Sequence, residues 1–200
     1  MPPATRLPSR LRRALLALSI ALPAGAMTSC SLGGSHSQPV QSQAPGKARF
    51  NADSFSVAIP AGWTDKTKDA SAVSSVNAGG TVLMLLYAPP TPAGLNNEHI
   101  DVSTVAQPVP DDQLGTYLVS AGQNGATNLS RAEPFDLDGS TGIFITYDLK
   151  SSNAVLLEAQ DMLVNHGGST YDIVLNTAQP DFAAQLPALR EVLSTWHWRS

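Results

Sequence analysis

A single thiol stands out among the residues able to do chemistry. Cys30 is the only cysteine in 200 residues, and it closes the tetrad Met27-Thr28-Ser29-Cys30. An apolar residue, two small ones and then a cysteine is a bacterial lipobox pattern. The thiol supplies the sulfur for a diacylglyceryl thioether, and the small neighbours let a signal peptidase grip extended backbone and cut between Ser29 and Cys30. The remaining inventory is thin. His36, His99, His166 and His197 fall in no metal-binding spacing of the H-E-x-x-H kind, and no second cysteine joins them. His99 and Asp101, two apart in a strand-like stretch, share a face; they offer half of a metal site or an acid–base pair, and the plainer expectation is a solvated polar face. His166 beside Gly167-Gly168 reads as a turn residue, and His197 points outward between Trp196 and Trp198. Gly139-Ser140-Thr141-Gly142 lacks the spacing of a nucleophile elbow. Asp136 and Asp138 are too sparse for a calcium loop. Trp63 and Trp196 read as core anchors rather than a sugar platform. No catalytic, cofactor-binding or metal-binding residue is expected.

The context of Cys30 fits a secretory leader. Arg6, Arg10, Arg12 and Arg13 form a basic front, and residues 14–26 form a 13-residue apolar run interrupted by Pro23 and Gly25. A spanning helix needs about 20 residues, so a cleaved leader over residues 1–29 is the better reading. A plain signal peptide cut near Ala24-Gly25-Ala26 is the alternative. A secreted domain has little use for one unpaired thiol, which favours lipidation. Residues 30–48, rich in Ser, Gly, Gln and Pro, read as a disordered tether. The expected location is the extracytoplasmic face of the cell membrane, held by the lipid anchor.

The leader holds four of the 12 Lys and Arg and none of the 16 Asp and Glu, so the chain from Cys30 onward carries a formal net charge of −8. An acidic surface argues against nucleic acid as a partner. With Cys30 lipidated no disulfide can form, and the fold must hold by its core.

Residues 49–200 read as one domain. Residues 55–59, 72–76, 81–87, 99–105, 129–137, 142–149, 155–165 and 170–177 have strand patterns. The run at 82–86 is apolar on both faces, which suggests a central strand. Asn77-Ala78-Gly79-Gly80 signals a hairpin, and Ser151-Ser152-Asn153 a turn. Asp111 is placed to cap a helix bearing Leu114, Tyr117, Leu118 and Ala121 on one face. Leu186, Leu189, Val192, Leu193 and Trp196 form a closing helical stripe, with a short turn from Asp181 and the main helix starting near Pro187. The order implies an α+β fold with a mostly antiparallel sheet and a C-terminal helix packed on it.

The opening Phe55-Ser56-Val57-Ala58-Ile59-Pro60-Ala61-Gly62-Trp63 resembles the start of domains with the Mog1/PsbP-like fold, and Ser194-Thr195-Trp196-His197-Trp198 is similar to their close. A lipobox, a polar linker and one such domain is also the layout of the actinobacterial, mycobacterial-type LpqN/LpqT lipoproteins. The resemblance implies an α/β sandwich acting as a non-enzymatic binding or accessory module in the cell envelope. Its implied partners are a membrane through the lipid anchor, a lipid or glycolipid ligand such as mycolate, or an envelope protein of a membrane complex. The ligand would be expected in an apolar cavity between sheet and helix. The alternative is a hydrolase of envelope lipids or sugars with a site assembled from scattered residues.

Overall fold

The computed structural model describes residues 47–76, 79–91, 97–122, 125–150 and 155–199. The expected leader over residues 1–29, Ser29, Cys30 and the stretch expected as a tether through residue 46 lie outside the described residues, as do Asn77-Ala78 and Ser151-Ser152-Asn153.

The elements are, in chain order, β1 (Arg49–Asn51), β2 (Phe55–Ala58), β3 (Thr64–Asp65), α1 (Ala70–Ser75), β4 (Gly80–Tyr87), β5 (His99–Val105), α2 (Leu114–Gly122), β6 (Glu133–Leu137), β7 (Ser140–Lys150), β8 (Leu156–His166), β9 (Ser169–Ala178), α3 (Phe182–Ser194) and β10 (His197–Trp198). Seven strands form one antiparallel sheet in the order β3-β4-β5-β9-β8-β7-β6, and β1-β2-β10 form a small second one. Side chains alternate between the two faces of each strand, and this divides the molecule into layers. One face carries Met84, Ile100, Val102, Met162, Val164, Ile173 and Leu175, which pack with Phe55, Leu189, Val192 and Trp196 from the small sheet and α3. The opposite face puts Ile145 and Leu163 beneath Leu114 and Leu118 of α2. The fold is α+β, a mostly antiparallel sheet with the C-terminal helix packed on it.

Local chemistry explains where the structure departs from the periodic pattern. The stretch read as a strand at 72–76 is instead the end of α1. Asp69 caps that helix, its Oδ1 accepting from the backbone N–H of Ser71 at 3.1 Å and of Ala72 at 3.2 Å. Asp111 does not cap α2. It begins a 3-10 turn, Asp111–Gln113, whose cap position is Pro110, and its Oδ1 accepts from Asn165 Nδ2 at 2.6 Å. The ladder of β6 starts at Glu133 rather than 129, because Asn128 sits in the left-handed region at φ 54° and redirects the backbone. Helix α3 runs unbroken through Pro187. That proline lies near the helix start, so its missing N–H removes one early ladder bond, to Ala183. Strand β4 is next to the short edge strand β3 rather than central, and Met84, Leu85 and Leu86 are nevertheless fully buried.

Gly142 marks a close approach. It pairs with Phe135 on one side and Val164 on the other. A Cβ there would stand 2.4 Å from the Phe135 ring and 2.5 Å from the Leu163 carbonyl oxygen. The carbonyl cannot swing aside as a flexible side chain could. Gly142→Ala is therefore expected to cost about 1–3 kcal/mol by overpacking, measured as a lowered urea midpoint; an unchanged midpoint would mean the strands can part without loss.

Candidate functional site

The residues with reactive side chains gather on the face of the sheet that α2 partly covers. The register aligns Leu85, Asp101, Val174, Asp161 and Ile145 across β4, β5, β9, β8 and β7. Paired residues point to the same side, so Asp101 and Asp161 share a face. Asp172, two residues from Val174 on β9, pairs with Ser103 and Leu163 and shares that face too. Three carboxyls on three adjacent strands thus form a triangle. His99 and Tyr147 stand one row away in the register, flanking Asn176 and Ala159.

This face is not the solvated one that the alternation at 99–105 suggested. Asp101 is 3 % exposed and Asp161 is 8 % exposed. Asp172 keeps some surface, yet its Oδ1 is shut off from solvent. Tyr117 of α2 lies near Asp161 and Asp172, and the ring of Tyr87 leans on His99, so groups that in an open sheet would be wet are covered.

His99 and Asp101 do meet. His99 Nε2 lies 3.4 Å from Asp101 Oδ1, and its Nδ1 is 2.7 Å from the Asn97 carbonyl oxygen. Both ring nitrogens face acceptors, which suits a doubly protonated ring. Burial works against that charge, but the hydrogen bond and charge of Asp101 prevail and raise the pKa. Both ring nitrogens are thus engaged with Asp101 and the Asn97 carbonyl.

Asp161 and Asp172 behave as a pair. Burial raises the Asp161 pKa to about 6, against hydrogen bonds from Asp172 and Tyr147 that lower it. Burial, together with the charges of Asp161 and Asp101, raises Asp172 well above the carboxylate range. The Tyr147 hydroxyl donates to Asp161 Oδ2 at 3.1 Å, and burial holds that phenol protonated far past neutrality. Burial and the charges of Asp172 and Asp161 raise Tyr117 as well. One proton shared between Asp161 and Asp172 is the state expected near neutrality.

A second acidic group lies at the start of α3. Glu98, 3 % exposed, accepts from the Ala178 N–H at 3.0 Å. Burial raises its pKa, the Ala178 hydrogen bond opposes this, and Asp181 adds to the rise. Asp181 itself accepts from the Thr91 hydroxyl, so this group ties the loop after β4 to α3.

His166 lies at the end of β8, stacked on Trp198 with ring centroids 4.0 Å apart, and its Nδ1 is 3.0 Å from Ser140 Oγ. Among the described residues no carboxylate orients its other nitrogen. His197 is exposed and lies 3.7 Å from Asp138. Trp63 and Trp196 are buried, at 9 % and 2 % exposure. Trp198 donates from Nε1 to the Leu137 carbonyl at 3.0 Å. Among the described residues no three His, Cys, Asp or Glu side chains are placed to hold a metal ion. Among the described residues, Ile173, Leu175, Leu189 and Val192 pack together between sheet and α3, where the apolar ligand cavity was expected; depressions beside α2 are open to solvent. Asp161 and Asp172 were missed in the sequence. Their signal was an acidic residue at the same-facing position of three separate strands, visible only with the register in hand.

No family model matches the chain, and no curated protein does. Solved structures match. Cyanobacterial PsbP (CyanoP) from Synechocystis sp. PCC 6803 is 16 % identical with a TM-score of 0.51, over 76 % of this chain and 92 % of that one. LpqN of Mycobacterium tuberculosis, involved in cell envelope biogenesis, is 10 % identical with a TM-score of 0.52, over 79 % of this chain and 88 % of that one. A Bacteroides thetaiotaomicron protein is 11 % identical with a TM-score of 0.50, over 77 % of this chain and 49 % of that one. At these identities the likeness is one of fold: the domain is PsbP/Mog1-like.

Proposed function

We propose that this chain is an accessory module of the cell envelope, anchored through diacylglyceryl-Cys30 at the extracytoplasmic face of the membrane and working by binding rather than catalysis. The observation that carries the reading is the PsbP/Mog1-like fold, common to CyanoP and to the envelope-biogenesis protein LpqN, set behind a lipobox leader. No helix among the described residues is long and apolar enough to cross a membrane. The engaged state of His99 supports a non-catalytic role. Candidate ligands are an envelope lipid, a glycolipid or an envelope protein.

Two acyl chains anchor stably whereas one does so marginally, at about 0.8 kcal/mol per buried CH₂. In detergent phase partitioning the wild-type protein is expected in the detergent phase, and Cys30→Ala in the aqueous phase or retained as uncleaved precursor. Wild-type protein that stays aqueous would remove the anchor from the reading. The Ser140–His166 contact favours one alternative, a hydrolase. Retention of the biological role by Ser140→Ala, in a deletion strain at matched protein level, is the result expected of a binding module.

A further inference from the structure

The small sheet β1-β2-β10 has one side in the core and one side open. Phe50 pairs with Val57 and Phe55 with Trp198, and all four join the core. Asn51, Ser56 and His197 form the adjacent row, so they face outward. Arg49 stands two residues before Asn51 and Arg199 two after His197, which puts both on the same outer side. Lys47 continues that side, because the Ile59 N–H to Ala48 carbonyl bond extends the ladder. Three of the eight Lys and Arg after Cys30 thus share one face of a chain whose formal net charge from Cys30 onward is −8. These cations are not equally committed. Lys47 Nζ donates to Glu191 Oε1 at 2.6 Å. His197 lies 3.7 Å from Asp138, whose other oxygen accepts from the Trp198 N–H at 2.9 Å. Arg49 and Arg199 meet only neutral groups. Arg49 Nη2 donates to Ser56 Oγ at 3.0 Å and to the Thr195 carbonyl at 3.3 Å, and Arg199 Nη1 donates to the Ala52 carbonyl at 3.0 Å. Among the described residues no carboxylate lies at ion-pair distance from either. Asp53, exposed in the β1–β2 turn, is the remaining acid of this sheet and offsets at most one of the two guanidinium charges.

Ser56 pairs with Asn51, the neighbour of Ala52, so both guanidiniums lean over the middle of the sheet. Each has five N–H donors in a planar fork that matches phosphate. The present contacts hold the groups in place without using them up. The same face is where the chain arrives from Cys30: Lys47 stands 17 residues after it, a length that spans at most about 60 Å. We propose that the outer face of the small sheet docks on anionic phospholipid headgroups of the membrane to which Cys30 is anchored. The inference rests on the anchored reading and adds the orientation of the domain. A few charges attract an anionic leaflet only weakly, but the anchor turns the encounter into one at high effective concentration. The acidic remainder of the surface is repelled by the same leaflet, so this face turns inward and the α2 side of the main sheet turns away.

The test uses the full lipidated chain in vesicles of phosphatidylcholine alone or with about 30 % phosphatidylglycerol as the anionic lipid. With Cys30 acylated, an introduced cysteine is the single free thiol. Asn51→Cys reports on the face, and Thr116→Cys, exposed on α2 across the main sheet, is the comparison. A membrane-impermeant maleimide is expected to modify position 51 at least about threefold more slowly on the anionic vesicles, since each cation near the surface adds its own attraction, and to modify position 116 equally on both. Arg49→Gln combined with Arg199→Gln should abolish the difference, with a cooperative melt verifying the fold. Salt at about 0.5 M should abolish it in the unsubstituted face, so the outcome does not hang on the double variant. Equal modification of position 51 on both vesicle types would overturn the proposal. So would shielding that persists in salt or in the folded double variant, or shielding by soluble glycerol phosphate without vesicles, which would make the occupant a free anion. Flotation of the same vesicles decides the anchor separately, because an unanchored chain leaves the phosphatidylcholine vesicles. Such a chain still supports the face if it floats with the anionic vesicles at low salt, and overturns it if it floats with neither.

Discussion

Trp196→Ala is expected to cost about 3–5 kcal/mol of stability, against a total of roughly 5–15 kcal/mol for a typical domain. Trp196 is 2 % exposed. Its ring stacks on Phe55 with centroids 4.2 Å apart and meets Trp198 edge-on at 5.1 Å. Phe55 is on β2 and pairs with Trp198 on β10, so Trp196 stands where the small sheet, the main sheet and α3 converge. An alanine would open a cavity bordered by rigid strands that cannot collapse into it. Urea denaturation followed by far-UV circular dichroism measures the loss. Trp196→Phe refines it. The indole Nε1 is buried without a partner, so phenylalanine keeps most of the packing and removes an unsatisfied donor, and should cost much less than alanine. If both variants melted like wild type, the convergence of the three elements would not depend on this ring.

How far the fold could be read in advance follows from what each signal depends on. Alternation is local, so β2, β5, β7, β8 and β9 were visible within a residue or two of their ends, and Leu186, Leu189, Val192 and Leu193 marked the closing helix, while Trp196 of the same stripe falls just past its end at Ser194. Capping was ambiguous. Asp69 and Asp111 are equally good cap residues on paper, and only the structure shows the first capping α1 and the second held by Asn165. The stretch 72–76 has Ala72, Val73 and Val76 as its apolar positions and is helical in fact; five residues are too few to separate the two periods. The site was the least legible part. The strand pattern placed His99 and Asp101 on one face, but whether a polar face is wet depends on what lies above it. That in turn depends on where α1 and α2 land and on the pairing of β5 with β9 and β9 with β8, contacts far apart in sequence. Asp161 and Asp172 each looked like an ordinary polar residue on a half-exposed strand.

Asp172→Asn is expected to stabilise the protein at alkaline pH and to flatten its stability profile. The Asp161 and Asp172 carboxyls have native pKa values raised above the unfolded value, near 3.9, with burial the largest cause. The native state therefore holds protons that the unfolded chain releases. Such groups contribute stability that is fully present below about pH 4 and lost as pH rises through their native values, about 6 for Asp161 and raised likewise for Asp172. His99, raised by its carboxylate partner despite burial, adds a loss of the same sign as it deprotonates. Wild-type stability should accordingly fall between pH 4 and pH 8. A displacement of two units corresponds to on the order of 3 kcal/mol. An asparagine at 172 cannot ionise, and its amide can donate to Asp161 without repelling it. The variant should match wild type near pH 4 and exceed it at pH 8, seen in thermal melts across the range. A variant curve running parallel to wild type would mean that the two carboxyls titrate independently and that no proton is shared between them.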